Sequence, residues 1–104
     1  MSISRLTDSE VRERIVAVND VEMLEKLAGE LNDRTLYSCH IFHFPGGIRV
    51  HVLDQSCRSV IDEDCALPTI SDDMFTTAGK RKRIREVADR VRKLIRDNGP
   101  KGAA

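Results

Sequence analysis

Residues 37–52, YSCHIFHFPGGIRVHV, constrain the fold more than any other stretch. Two runs rich in β-branched and aromatic residues are split by Pro45-Gly46-Gly47. Proline presets φ at one corner of a turn and glycine tolerates positive φ at the next, so the segment predicts an antiparallel β-hairpin. Side chains alternate along a strand, which gives the hairpin two distinct faces. One carries Tyr37, Cys39, Ile41 and His43 with Ile48, Val50 and Val52, and reads as ordinary core. The other carries His40, Phe42 and Phe44 with Arg49, His51 and Leu53, the composition of an interaction surface.

Helical patterns flank the hairpin. Thr7-Asp8-Ser9-Glu10 has the form of a capping box, and Val11, Ile15 and Val18 follow at helical spacing. Asn19-Asp20, with Glu22 three residues after Asn19, repeats the cap pattern and predicts two helices, roughly 8–18 and 20–31, or one helix bent there. After the hairpin, residues 54–70 show no clear period; Asp62-Glu63-Asp64 and Pro68 favour an irregular loop over a short strand at Ser59-Val60-Ile61. Ser71-Asp72-Asp73 starts a last helix, whose buried stripe is Ile84, Val87, Ala88, Val91, Leu94 and Ile95 and which stops before Asn98-Gly99-Pro100. The expectation is an α+β domain of order α-α-β-β-α, its helices packed on one face of a two-stranded antiparallel hairpin. It spans 1–104 as a single domain, with a core over about 7–97 and a flexible tail at 98–104.

With 104 residues the chain buries about two thirds of the surface its unfolded form exposes, which leaves room for one modest core. Aromatics make up only 4% and Trp is absent, so that core must be largely aliphatic. The zero net charge divides along the chain: residues 1–70 hold 7 Lys/Arg against 12 Asp/Glu, and residues 71–104 hold 10 against 5. Such a division is satisfied within the fold, between copies, or by an anionic partner. The start of the chain lacks the basic segment and apolar run of a signal peptide, and no apolar stretch reaches spanning length, which points to the cytoplasm. Three cysteines, Cys39, Cys57 and Cys65, do not suit a disulfide framework.

No reaction chemistry stands out. Cys57 or Cys39 with His51 forms a nucleophile and base pair only on paper, and neither a phosphate-cradling glycine loop nor a paired-acid pocket is visible. The chain is therefore read as a non-enzyme without cofactor. The His and Cys residues lack CxxC or HxxxH spacing and predict no resident metal. The one arrangement left open is His40 beside His51 across the hairpin with a loop cysteine.

Two resemblances bear on partners. GKRKRIREVADRVRKLI, from Gly79, resembles the last helix of double-stranded-RNA-binding domains, where a basic cluster grips phosphates; it implies contacts from Lys80, Arg81, Lys82, Arg83 and Arg85. The chain departs from that family in its Pro-Gly-Gly turn, an extra first helix and a third strand that the sequence leaves undecided, and Glu86 with Arg90 and Asp89 with Lys93 are spaced to pair along the helix. In size, helices-hairpin-helix order and want of a catalytic signature the chain is similar to small bacterial quorum-sensing anti-activators that bind LasR-type members of the LuxR transcription-factor family. That implies a cytoplasmic homodimer that docks on a transcriptional regulator and blocks its dimerisation or DNA binding; phage-encoded inhibitors of host machinery share the same gross features. The partner-binding residues expected on this reading are His40, Phe42, Phe44, Arg49 and His51, with Val11 and Ile15 as a second patch.

Overall fold

The computed structural model describes residues 8–99, with side chains from residue 19 onward. Its elements are α1 (Asp8–Arg34), β1 (Ser38–Phe44), β2 (Gly47–Leu53), β3 (Ser59–Ala66) and α2 (Met74–Asn98). The strands form one antiparallel sheet in the order β1-β2-β3. The order is thus α-β-β-β-α, which corrects the expected α-α-β-β-α layout in two places.

The first is β3, which occupies the stretch expected to be a loop. Its acidic run is compatible with a strand because alternation separates the three carboxylates. Ile61 and Cys65 are buried toward the helices, whereas Asp62 and Asp64 are exposed. Glu63 points inward with Ile61 and Cys65, and there it meets Arg83 and Arg90 of α2. The second is α1, which runs unbroken through Asn19-Asp20. Asp20 does not cap a helix; its carboxylate is buried and accepts from Arg81 of α2 at 3.2 Å, with Arg85 at 3.9 Å.

Phe44 pairs with Gly47, leaving Pro45-Gly46 as a two-residue loop. Gly46 has φ 86°, the third position of a type II turn, where a side chain would be strained. Gly47 is confined differently: a Cβ there would lie 2.6 Å from the Cys65 carbonyl oxygen and 2.8 Å from the Phe44 ring. The β2–β3 connection is built by Asp54. Its amide donates to the Arg58 carbonyl at 2.9 Å, and its Oδ1 accepts from the amides of Ser56 (2.8 Å) and Arg58 (2.9 Å). Cys57 closes this turn at φ 63°, the left-handed position that glycine usually takes in three-residue hairpin loops. A bulge follows, with Val52 opposite Ile61 but Leu53 opposite Ser59.

The core is aliphatic, as the composition requires. Leu24, Ala28 and Leu31 of α1 and Ile84, Val87, Ala88 and Val91 of α2 pack on Cys39, Ile48, Val50, Val52, Ile61 and Cys65 of the sheet. All these sheet residues lie on one face, so both helices cover the same side. Asn32 ties the end of α1 to β1 by accepting from the Cys39 amide (2.7 Å) and donating to its carbonyl (3.1 Å). The α2 start agrees with the sequence reading: Asp73 is the N-cap and accepts from the Thr76 amide at 2.7 Å. Its end is Asn98, within the expected stop signal, and Gly79 lies inside the helix.

The left-handed Cys57 yields a stability test. Cys57→Gly should raise the free energy of unfolding by about 1 kcal/mol, because glycine carries no steric penalty at that φ. Urea denaturation at neutral pH measures it, and unchanged or lowered stability would show that the turn is not held in this conformation.

Candidate functional site

Three of the cross-strand rows on the side of the sheet away from the helices carry the expected residues. His40, His51 and Asp62 form the first, Phe42, Arg49 and Asp64 the second, and Phe44, Gly47 and Ala66 the third. The register thus brings together all five hairpin residues expected at the interaction surface. No helix or loop among the described residues lies over them: Phe42 is 53% and Phe44 43% exposed. The other two expected residues, Val11 and Ile15, lie in the part of α1 whose side chains are outside the described residues.

The character of the face changes from strand to strand across these rows. β1 carries no acid or base apart from its histidines, and the rings of His40 and Phe42 sit 6.3 Å apart, tilted by 33°. Phe44 also roofs Gly47, whose missing side chain makes room for the ring. At the centre, Arg49 binds Asp62 with two parallel hydrogen bonds, Nε to Oδ1 and Nη2 to Oδ2, both 2.7 Å. Asp64 stands 3.9 Å from the same guanidinium. This forked pair holds the Asp62 carboxyl below the usual carboxylate range and leaves β3 as an acidic margin. His51 Nε2 meets the Ser59 hydroxyl at 3.2 Å. Asp62 and Asp64 are site residues that the sequence reading missed. The available signal was Ile61 and Cys65, which alternation puts on one face and the two acids on the other.

The basic cluster of α2 is largely engaged inside the fold. Lys80 donates to Asp72 at 2.6 Å, Arg81 to buried Asp20, and Arg83 to Glu63. Arg85 stands beside Asp20, and Lys82 is exposed. The helix-surface pairs expected from spacing form differently: Arg90 reaches Glu63 at 3.0 Å on β3, and Asp89 pairs with Arg92 at 2.8 Å.

The Cys39–His51 pairing is separated by the sheet. Cys39 is buried on the helix side, where burial pushes its thiol up to about 11, while His51 lies on the opposite face. Cys65 is likewise buried and raised by desolvation, and Cys57 is exposed in its turn. All three are free thiols, and neither Cys57 nor Cys65 joins the His40–His51 pair. Among the described residues no three His, Cys, Asp or Glu side chains are gathered to hold a metal ion, and no helix is long and apolar enough to cross a membrane. No family model, curated protein or solved structure matches the chain.

Three carboxylates give the fold an acid limit. Asp62 is lowered by Arg49, Asp72 by Lys80 and the Thr69 amide, and Asp73 by the Thr76 amide. A group whose folded pKa is depressed adds stability above its unfolded value and loses it as pH falls through the folded one. The thermal midpoint should therefore change little with these groups between pH 7 and 5 and decline below about pH 4. In Asp73→Asn the acid-induced fall should be smaller than in the native chain; an identical fall would remove the N-cap carboxylate from this account.

Proposed function

We propose that this chain is a non-catalytic, cytoplasmic docking protein whose uncovered sheet face captures a regulatory protein, in the manner of an anti-activator that keeps a transcription factor from dimerising or binding DNA. The observation that carries the reading is Phe42 and Phe44 side by side on a face that no described helix or loop of the chain covers. An aromatic strip bordered by Arg49 and by the acids of β3 suits a partner with an apolar ridge flanked by lysines or arginines. DNA-binding regulators present basic surface of that kind.

Phe42 is the cleaner probe, since Phe44 also covers Gly47. Phe42→Asp should keep the far-ultraviolet circular dichroism and the thermal midpoint of the native chain while abolishing capture. In a gel-shift assay, a LuxR-type regulator should release its DNA when the native chain is added and retain it with Phe42→Asp. A regulator that keeps its DNA with both proteins would overturn the reading.

A second reading, nucleic-acid binding, gains from the α-β-β-β-α order, because the third strand and single first helix remove two departures from double-stranded-RNA-binding domains. Two facts weigh against it. Lys80, Arg81 and Arg83 are committed to Asp72, Asp20 and Glu63, and the tight Pro45-Gly46 turn leaves no β1–β2 loop to enter a groove. Duplex RNA and DNA should give no shift with this chain at low salt. A shift that weakens steeply with added salt and vanishes in Lys82→Glu with Arg85→Glu would establish the second reading instead.

A further inference from the structure

The two edges of the sheet, β1 and β3, differ in what their backbones face. Asn32 holds both the amide and the carbonyl of Cys39, so these groups point away from β2. Backbone direction alternates along each strand, and the register carries that parity across the sheet: Ile48, Val50 and Val52 turn their amides and carbonyls toward β3, where Ile61, Glu63 and Cys65 meet them. The Leu67 amide continues the inward set by donating to the Gly46 carbonyl at 2.9 Å. Asp62, Asp64 and Ala66 therefore direct their amides and carbonyls outward, where no group among the described residues bonds them, and all three residues are exposed. The β1 edge is obstructed by α1, through Asn32 at Cys39 and through Glu25 at the His43 ring. The open edge is β3.

We propose that this edge takes up an extended segment of a partner protein carrying lysine or arginine at alternate positions, which adds a fourth strand to the sheet beside β3. Partner residues that exchange hydrogen bonds with Asp62 and Asp64 stand directly opposite them, with side chains on the same uncovered face, so basic residues at i and i+2 meet the two acids. The residue between them turns to the helix side. There Arg83 and Arg90 of α2 reach Glu63 with side chains still 49% and 48% exposed, and they favour an acid over a third base. The edge is thus acidic on one face and basic on the other, which selects a strand of alternating charge. The same acids select against a second copy, because β3 laid antiparallel on β3 about Glu63 sets Asp62 against Asp64 twice. Main-chain hydrogen bonds supply the affinity of such a contact, and the facing charges supply the choice of segment. The inference rests on the reading of the chain as a docking protein and adds a contact separate from the Phe42 strip.

The probe is the synthetic peptide VTKEKTV, a palindrome that presents the same pattern in either strand direction, added to the full-length chain. Amide hydrogen exchange followed by nuclear magnetic resonance should find the Asp62, Asp64 and Ala66 amides exchanging freely in the chain alone and slowed about 10-fold or more at saturating peptide. The amides of Ile61, Glu63 and Cys65, bonded to β2 from the start, should change little. The charge-exchanged peptide VTEKETV should bind about 10-fold more weakly. Asp64→Lys, at a side chain 72% exposed, should keep the native circular dichroism and weaken VTKEKTV to a similar degree. Phe42→Asp should leave peptide uptake unchanged while abolishing capture of the regulator, so the two readings fail separately. No binding at millimolar VTKEKTV, binding that leaves the three outward amides unprotected, equal affinity for both peptides, or protection of those amides by self-association of the chain alone would each overturn the proposal.

Discussion

Along β2, Ile48, Val50 and Val52 have no exposed surface, while Arg49 between them is exposed and His51 partly so. That alternation on the central strand is the constraint from which the rest of the architecture follows. Three strands present one apolar face, wide enough to need two helices, and α1 and α2 are both spent on covering it. Among the described residues no element is left to lay over the other side, where Phe42 and Phe44 stay exposed. A surface with Phe42, Phe44 and two histidines on it is a consequence of this one-sided economy, fixed by strand parity alone.

Two acids make the arrangement of the helices specific. Hydrophobic packing is tolerant of sliding, but Asp20 on α1 and Glu63 on β3 each engage a pair of arginines on α2, Arg81 with Arg85 and Arg83 with Arg90. The Asp20 and Arg81 side chains are only 10% and 14% exposed, so desolvation offsets much of their attraction. The same pairs engage four of the arginines of α2 inside the fold. The charge division between the two parts of the chain is resolved to a large extent inside the monomer.

Where the sequence was legible, a short-range rule decided the structure. Pro45-Gly46 set the turn, parity set both faces of the hairpin, and Asp73 set the start of α2. The two failures share one cause. Asn19-Asp20 resembled a cap because Asn followed three residues later by Glu normally starts a helix, and Asp62-Glu63-Asp64 resembled a solvated loop because acids in a row normally signal exposure. In each case the acid has a cationic partner far away in sequence, 61 residues for Asp20 and Arg81 and 20 for Glu63 and Arg83. No local pattern announces such a partner. β3 was further obscured by its turn, where Cys57 occupies the left-handed position at which a glycine would have marked a hairpin. The candidate surface was therefore half visible: its aromatic and imidazole half lies on the legible hairpin, and its acidic margin on the strand that was not.

The two phenylalanines are unequal evidence for a docking role. Phe44 has a reason to be present in an isolated domain, since its ring shields Gly47 and the carbonyl of Cys65 lies just beyond. Phe42 has no comparable task. It stands opposite Arg49, whose guanidinium is turned to Asp62, and about half of its surface stays in water. Completing its burial would add about 1 kcal/mol that the single chain forgoes. A lone exposed aromatic means little, but this one adjoins a second ring along the strand and a histidine 6.3 Å away, so the three form one continuous strip. On the β2 and β3 side the strip is bounded by charge, first Arg49 and then Asp62 and Asp64. A partner that covers it must therefore meet the acids along one margin only, and that asymmetry gives the surface a direction as well as an affinity.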